Sequence, residues 1–143
     1  MPTVVPPLPA GVGSRLAPKT TQEVALAPND RSDGVHAKIS NAVVGIFREY
    51  TGRGPTKART TIGQDLVVVI LEDALTKGER VLADNGQEES VVLMRRGYQA
   101  TMRAELVAAV EKLMQRRVRA FLSDQITSPD ITAETFVLEP APE

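Results

Sequence analysis

Three cations, Arg53, Lys57 and Arg59, are threaded between Gly52, Gly54 and Pro55 in the run Y-T-G-R-G-P-T-K-A-R that begins at Tyr50. Glycines and a proline hold a turn in a fixed shape, and backbone N–H groups can then converge with guanidinium groups on one anion. Arginine suits this chemistry because its planar fork meets a carboxylate or phosphate through two parallel hydrogen bonds. Downstream, Arg95, Arg96 and Arg103 lie in a helical pattern that could bring further positive charge to the same anion. The run lacks the spacing of a nucleotide P-loop, G-x-x-x-x-G-K followed by Ser or Thr. It is not a dinucleotide fingerprint either, because it follows a predicted helix and precedes a predicted strand, the reverse of the required order. The competing reading pairs the same cations with Glu49, Asp65, Glu72 and Glu105 in surface ion pairs.

No catalytic set accompanies these cations. His36 is the one histidine, with no nucleophile or carboxylate partner near it in sequence, and reads as a solvated side chain at a helix end. With no cysteine and no second histidine, a metal site would have to be built from carboxylates such as Glu72 and Asp73, which read first as turn residues. Ser123 and Asp124 form a polar pair at a strand end, where a turn is the ordinary role. Met94, Met102 and Met114 read as core filler at helical spacing. The sequence therefore predicts no catalytic residues, no metal and no cofactor.

The elements around the cationic turn can be placed from periodicity. Val35, Ile39, Val43, Ile46, Phe47 and Tyr50 recur at helical spacing, with Ser32 or Asp33 available as a cap and Gly52 at the left-handed C-terminal position. Pro55 stops that helix, and Lys57 to Ile62, Gly63-Gln64-Asp65 and Leu66 to Leu71 then read as a β-hairpin. The block Leu66-Val67-Val68-Val69-Ile70-Leu71 has no polar alternation, which predicts a strand covered on both faces, by helices on one and by a partner subunit on the other, or else a central strand in a monomer. Thr76 and Glu79 have the spacing of a capping box, and Asn85-Gly86 ends the helix that it starts. From Gln87 to about Arg116 a long helix follows, with Gly97 at a bend or a close contact and an apolar stripe through Val91, Met94, Tyr98, Met102, Leu106, Ala109, Val110 and Leu113. Val118 to Asp124 and Thr132 to Glu139 close the pattern as two strands around Ser128-Pro129-Asp130. The expected fold is α+β, with helices on one face of a largely antiparallel four-stranded sheet in the order α-β-β-α-α-β-β.

Six of the ten prolines fall before Asp30, so residues 1–31 read as a disordered proline-rich tail and 32–143 as a single domain. The compact apolar run Val5-Pro6-Pro7-Leu8-Pro9 is a candidate ligand for a partner protein. Lys plus Arg number 17 against 18 Asp plus Glu, a balance that argues against bulk binding of nucleic acid or of an anionic membrane surface. Scarce aromatics remove the stacking platforms that single strands need. No stretch is long and apolar enough to span a bilayer, and the N-terminus lacks the pattern of a signal peptide, so a cytoplasmic protein is expected, at most peripheral to a membrane.

Several segments together carry a resemblance. The I-S-N of Ile39 to Asn41, R-E-Y-T-G-R-G-P-T-K-A-R from Arg48 to Arg59, D-L-V-V-V-I-L-E from Asp65 to Glu72, L-T-K-G-E of Leu75 to Glu79 and F-L-S-D of Phe121 to Asp124 resemble the MpsC-like family of small bacterial domains. The resemblance covers Lys38 to Pro140. It implies a link to a sodium-translocating, membrane-potential-generating system and to ion or bicarbonate physiology, and supplies no catalytic residues. The expected function is that of a non-catalytic accessory or regulatory binding protein, a homodimer, with a membrane transport component and a small anion as candidate partners. Two alternatives stand beside it: an enzyme handling an anion or phosphate ester at the Gly52 to Arg59 loop, and a homodimeric scaffold whose tail docks a partner.

Overall fold

In a computed structural model, residues 22–25 and 34–141 are described, the first group as backbone only. The first helix, α1 (Val35–Thr51), buries Ile39, Val43, Val44 and Phe47 on one face. Its N-cap position falls on Gly34, which has no side chain to cap with, rather than on Ser32 or Asp33. At the other end Gly52 has φ of 80° and returns its N–H to the Arg48 carbonyl, the left-handed stop that its position predicts.

Strands β2 (Lys57–Ile62) and β3 (Leu66–Glu72) pair antiparallel as the expected hairpin. A short helix, α2 (Lys77–Asp84), starts in a complete capping box between Thr76 and Glu79. The long helix α3 (Glu88–Met114) has 27 residues and so runs about 40 Å. Gly97 lies inside it with open space at its missing side chain, so no close helix contact explains this glycine. Strands β4 (Val118–Thr127) and β5 (Asp130–Leu138) form the second hairpin.

The α+β architecture and the order α-β-β-α-α-β-β are as the periodicities predict. All pairings are antiparallel, and β5 inserts between β3 and β4. A further strand, β1 (Gln22–Ala25), adds to the free edge of β2, giving the order β1-β2-β3-β5-β4. It lies within the stretch expected to be irregular, and the rest of that stretch, including Val5 to Pro9, falls outside the described residues. Four residues of modest strand character are placed there by the open hydrogen-bonding edge of β2, not by any pattern of their own.

One core joins α1 and α3 to the sheet. Ile39, Val43 and Phe47 from α1 and Met102, Leu106 and Val110 from α3 meet Ala58, Val67, Val69, Leu71, Phe121, Phe136 and Leu138. Between α1 and β2 the hydroxyls of Ser40 and Thr60 bond each other at 2.7 Å, which satisfies two polar groups buried under the helix.

Among the described residues the sheet is covered on this side only. In β3, Val67, Val69 and Leu71 are inaccessible while Val68 and Ile70 are half-buried and Leu66 is exposed. The helices thus cover one face of β3 as its apolar run predicts, and the second face, where that run predicts a partner subunit or further cover, is apolar as well. The pairing register extends that outer face, setting Val68 beside Thr135 and Leu122, Ile70 beside Ala133 and Asp124, and Leu66 beside Val137 and Ala120. Leu122 and Ile126 are 59% and 50% exposed there.

Candidate functional site

The basic turn does not gather its three cations. Arg53 turns inward, donating from Nη1 to the Asp73 carbonyl at 2.5 Å and the Leu75 carbonyl at 3.0 Å, and from Nη2 to Asp73 Oδ2 at 2.8 Å. Thr56 donates to the same carboxylate oxygen at 2.9 Å. These hydrogen bonds, Arg53 foremost, hold the Asp73 carboxyl below the usual carboxylate range. Asp73 has φ of 57°, so the clamp secures the left-handed corner where β3 leaves for α2. Arg53 is thus a structural fastener whose donors are spent on the chain itself. Lys57 and Arg59 stand two residues apart on β2 opposite Glu72 and Ile70, on the outer face of the sheet, and each has an interaction partner.

The surface pairs expected for these cations also differ in detail. Asp65 takes Arg116 at 2.5 Å, and Glu105 accepts a hydrogen bond from Tyr50 at 2.5 Å, which raises the tyrosine's pKa. Arg116 also caps the Gln64 carbonyl at 2.7 Å and the Glu139 carbonyl, tying the end of α3 to the β2–β3 turn and to the chain beyond β5.

The second group of predicted cations divides as well. Arg95 points under α3, where its Nη1 meets Glu79 Oε1 at 2.7 Å with the two side chains 2% and 3% exposed. Its Nε donates to Gln125 Oε1 at 2.9 Å. The same Glu79 oxygen accepts the Thr76 N–H at 2.8 Å, so one carboxylate both caps α2 and neutralises a buried guanidinium. Arg96 and Arg103 remain at the surface of α3. They border a hollow of about 200 Å³ with Gln99, Ala100, Phe121 and Ser123. The Arg103 guanidinium lies 5.4 Å from the centre of the Phe121 ring, a cation–π contact that holds its charge over the hollow.

Beneath that hollow a polar layer runs between α3 and the sheet. Glu134 of β5 has no accessible surface, and its Oε1 accepts a hydrogen bond from Ser123 at 2.8 Å and a long one from Gln99 Nε2 at 3.4 Å. Burial pushes its pKa up to about 8, against the lowering effects of the Ser123 hydrogen bond and the Arg95 charge. Its Oε2 is buried without a hydrogen-bond partner among the described residues. Glu79, Arg95, Gln125, Gln99, Glu134 and Ser123 therefore form a continuous chain of polar contacts, one end of which lines a solvent-facing hollow.

The sequence reading missed this layer. The buried face of α3 is Val91, Arg95, Gln99, Met102, Leu106 and Val110, so its middle is polar. Met94, expected in the apolar stripe, is 40% exposed, whereas Met102 is fully buried and Met114 packs partly buried against the core. The signal was present: Arg95 and Gln99 stand four and eight residues after Val91, on its helical face. In β5, Glu134 alternates into line with Phe136 and Leu138, which made it a carboxylate pointing at the core. His36 is half-buried rather than solvated, with its Nε2 out of solvent and without a hydrogen-bond partner among the described residues. Ser123 and Asp124 point to opposite faces, Ser123 to Glu134 and Asp124 to the outer face.

Among the described residues no helix is long and apolar enough to cross a membrane, and no three acidic or histidine side chains come together as a metal-ligand set. A family model described as "Na+-translocating membrane potential-generating system (MpsC)" matches residues 32–140. No curated protein and no solved structure matches the chain.

Proposed function

Because the chain belongs to the MpsC family, whose description names a Na+-translocating, membrane-potential-generating system, we propose that it is a non-catalytic accessory protein of such a system. It acts from the cytoplasmic side as a homodimer closed through the outer faces of its sheets. The observation that carries this reading is the apolar face made by Leu66, Val68, Ile70, Leu122 and Ile126, which no layer of the described residues covers. An apolar sheet face without a covering layer is a surface for association.

A second copy is the occupant this reading takes. A two-fold axis parallel to the strands, between Ile70 and Ala133, sets the apolar side chains of the two outer faces against each other, with the β2 side of each copy over the β4 side of the other.

Two measurements test this. Light scattering of the purified chain should give twice the monomer mass, and Leu122→Asp or Ile126→Asp should halve it while the melting transition stays cooperative. A monomeric wild type would remove the dimer. Deleting the gene from its host should lower the membrane potential held in sodium medium, with recovery on re-expression of the wild type; an unchanged potential would remove the accessory role.

A further inference from the structure

We propose that the hollow bordered by Arg96, Gln99, Arg103 and Ser123 binds a small oxyanion, and that binding is coupled to a proton held by Glu134. This goes beyond the accessory role and does not depend on the dimer.

The geometry has three parts. Arg96 and Arg103 are two helical turns apart on α3 and flank the hollow from either end, with Gln99 and Ala100 between them on the same face. Among the described residues neither guanidinium has a carboxylate partner within ion-pair reach, in contrast to Arg53, Arg80, Arg95 and Arg116, each of which is paired. Two cations that border one hollow, one of them held over an aromatic ring, favour an anion between them.

The floor adds neutral donors. Ser123 and Gln99 both line the hollow: Ser123 donates to Glu134, and Gln99 Nε2 makes only long bonds, 3.4 Å to Glu134 and 3.5 Å to Gln125. A bond of that length is easily exchanged for a shorter one to an oxyanion. Phe121 and Ala100 close the remaining wall, so the space suits a compact ion rather than an extended ligand.

Glu134 supplies the coupling. It lies one hydrogen bond behind the hollow and is buried completely, so its ionised form would place a negative charge beside the bound anion. Around it, α3 presents Arg95, Arg96 and Arg103, α2 presents Glu79 on the far side of Arg95, β4 presents the neutral Ser123 and Gln125, and β3 presents the apolar Val69. Arg95 is committed to Glu79, so the charge that would otherwise stabilise the Glu134 anion is largely spent. With Oε1 accepting from Ser123 and Gln99, the proton belongs on Oε2, the oxygen without a hydrogen-bond partner among the described residues. An anion in the hollow then favours the protonated acid, and the protonated acid favours the anion.

Sulfate is the probe, because it remains a dianion across the whole range tested, so only groups on the protein titrate. Calorimetric titration of the whole chain should show sulfate binding at pH 7, and the Kd should rise about tenfold at pH 9 as Glu134, titrating near pH 8, ionises. Arg103→Gln, a surface change, should abolish binding without altering the fold. Glu134→Gln should keep binding at pH 7 and lose the rise at pH 9. If the glutamine variant does not fold, the wild type still gives the answer: at pH 8 in weak buffer, saturating sulfate should draw up about half a proton per chain. Absence of sulfate binding at pH 7, binding that survives Arg103→Gln, or no proton uptake at pH 8 would each overturn the proposal.

Discussion

Arg95 and Glu79 face each other at 2.7 Å beneath α3, a fully buried ion pair that joins the long helix to the first turn of α2. Its two ends also serve other groups, since Glu79 caps α2 through Thr76 and Arg95 orients Gln125. Removing one partner strands the other charge in a region that water does not reach. Glu79→Ala should therefore cost about 3–5 kcal/mol of stability, measured as the shift in urea midpoint times the slope. The double change Glu79→Met with Arg95→Met should cost clearly less than either single change, because no charge is then left unpaired. A double mutant less stable than both singles would show that the pair, rather than the penalty for breaking it, holds the helices together.

Glu134 makes stability fall as pH rises. Its pKa is about 8 in the fold against 4.5 for an exposed glutamate, so between those limits the native state holds a proton that the unfolded chain has released. Its contribution is fully present below the unfolded pKa and is lost as pH climbs through the folded one, at up to about 1.4 kcal/mol per unit for this group alone. Asp73 acts in the other direction: its lowered pKa gives stability that is present at neutral pH and is lost in acid. Chemical denaturation at pH 6, 7 and 8 should show the decline in the wild type and a flatter profile in Glu134→Gln. Equal slopes in both proteins would mean that another group titrates.

The two faces of β3 give a paired test. Val69 is inaccessible and points into the core, so Val69→Asp should cost about 3–5 kcal/mol and leave little folded protein. Val68 is half-buried on the outer face, so Val68→Asp should retain a cooperative melt and act on self-association instead. Thermal unfolding beside light scattering separates these outcomes, and an unfolded Val68→Asp would mean that the outer face is part of the folding core.

Arg53 is predicted to be a matter of stability rather than of ligand binding. Arg53→Ala removes donors to two carbonyls and a carboxylate and should lower stability by about 1–3 kcal/mol, with faster amide exchange around Asp73 to Thr76. Gly52→Ala should cost about 1 kcal/mol through its positive φ alone, since space for a methyl group is open. A neutral Arg53→Ala would return the basic turn to the list of ligand sites.

Local chemistry was enough to place most of the elements. Gly52 with Pro55 ends α1, the Thr76 to Glu79 box starts α2, and the turns at Gly63 and Ser128 join the hairpins, because each of these depends on neighbours within a few residues. The helical period of α1 likewise named its buried face. Where the partners are distant in sequence, residue spacing was silent. Glycines around Arg53 suggested a binding loop, but the acceptors that claim its guanidinium belong to Asp73 and Leu75, about twenty residues away. Clustered arginines in α3 looked alike, yet one faces Glu79 in the interior and two face solvent, a division set by how the helix rolls onto the sheet. The apolar run of β3 fixed a strand without fixing what covers it, since coverage is a property of the layers around the sheet. What the sequence by itself determined, then, was the order and ends of helices and strands, through contacts a turn or two long. Only the tertiary structure decided that Glu134, Gln99 and Ser123 meet under Arg96 and Arg103, because burial and charge pairing are settled by contacts that close across the whole chain.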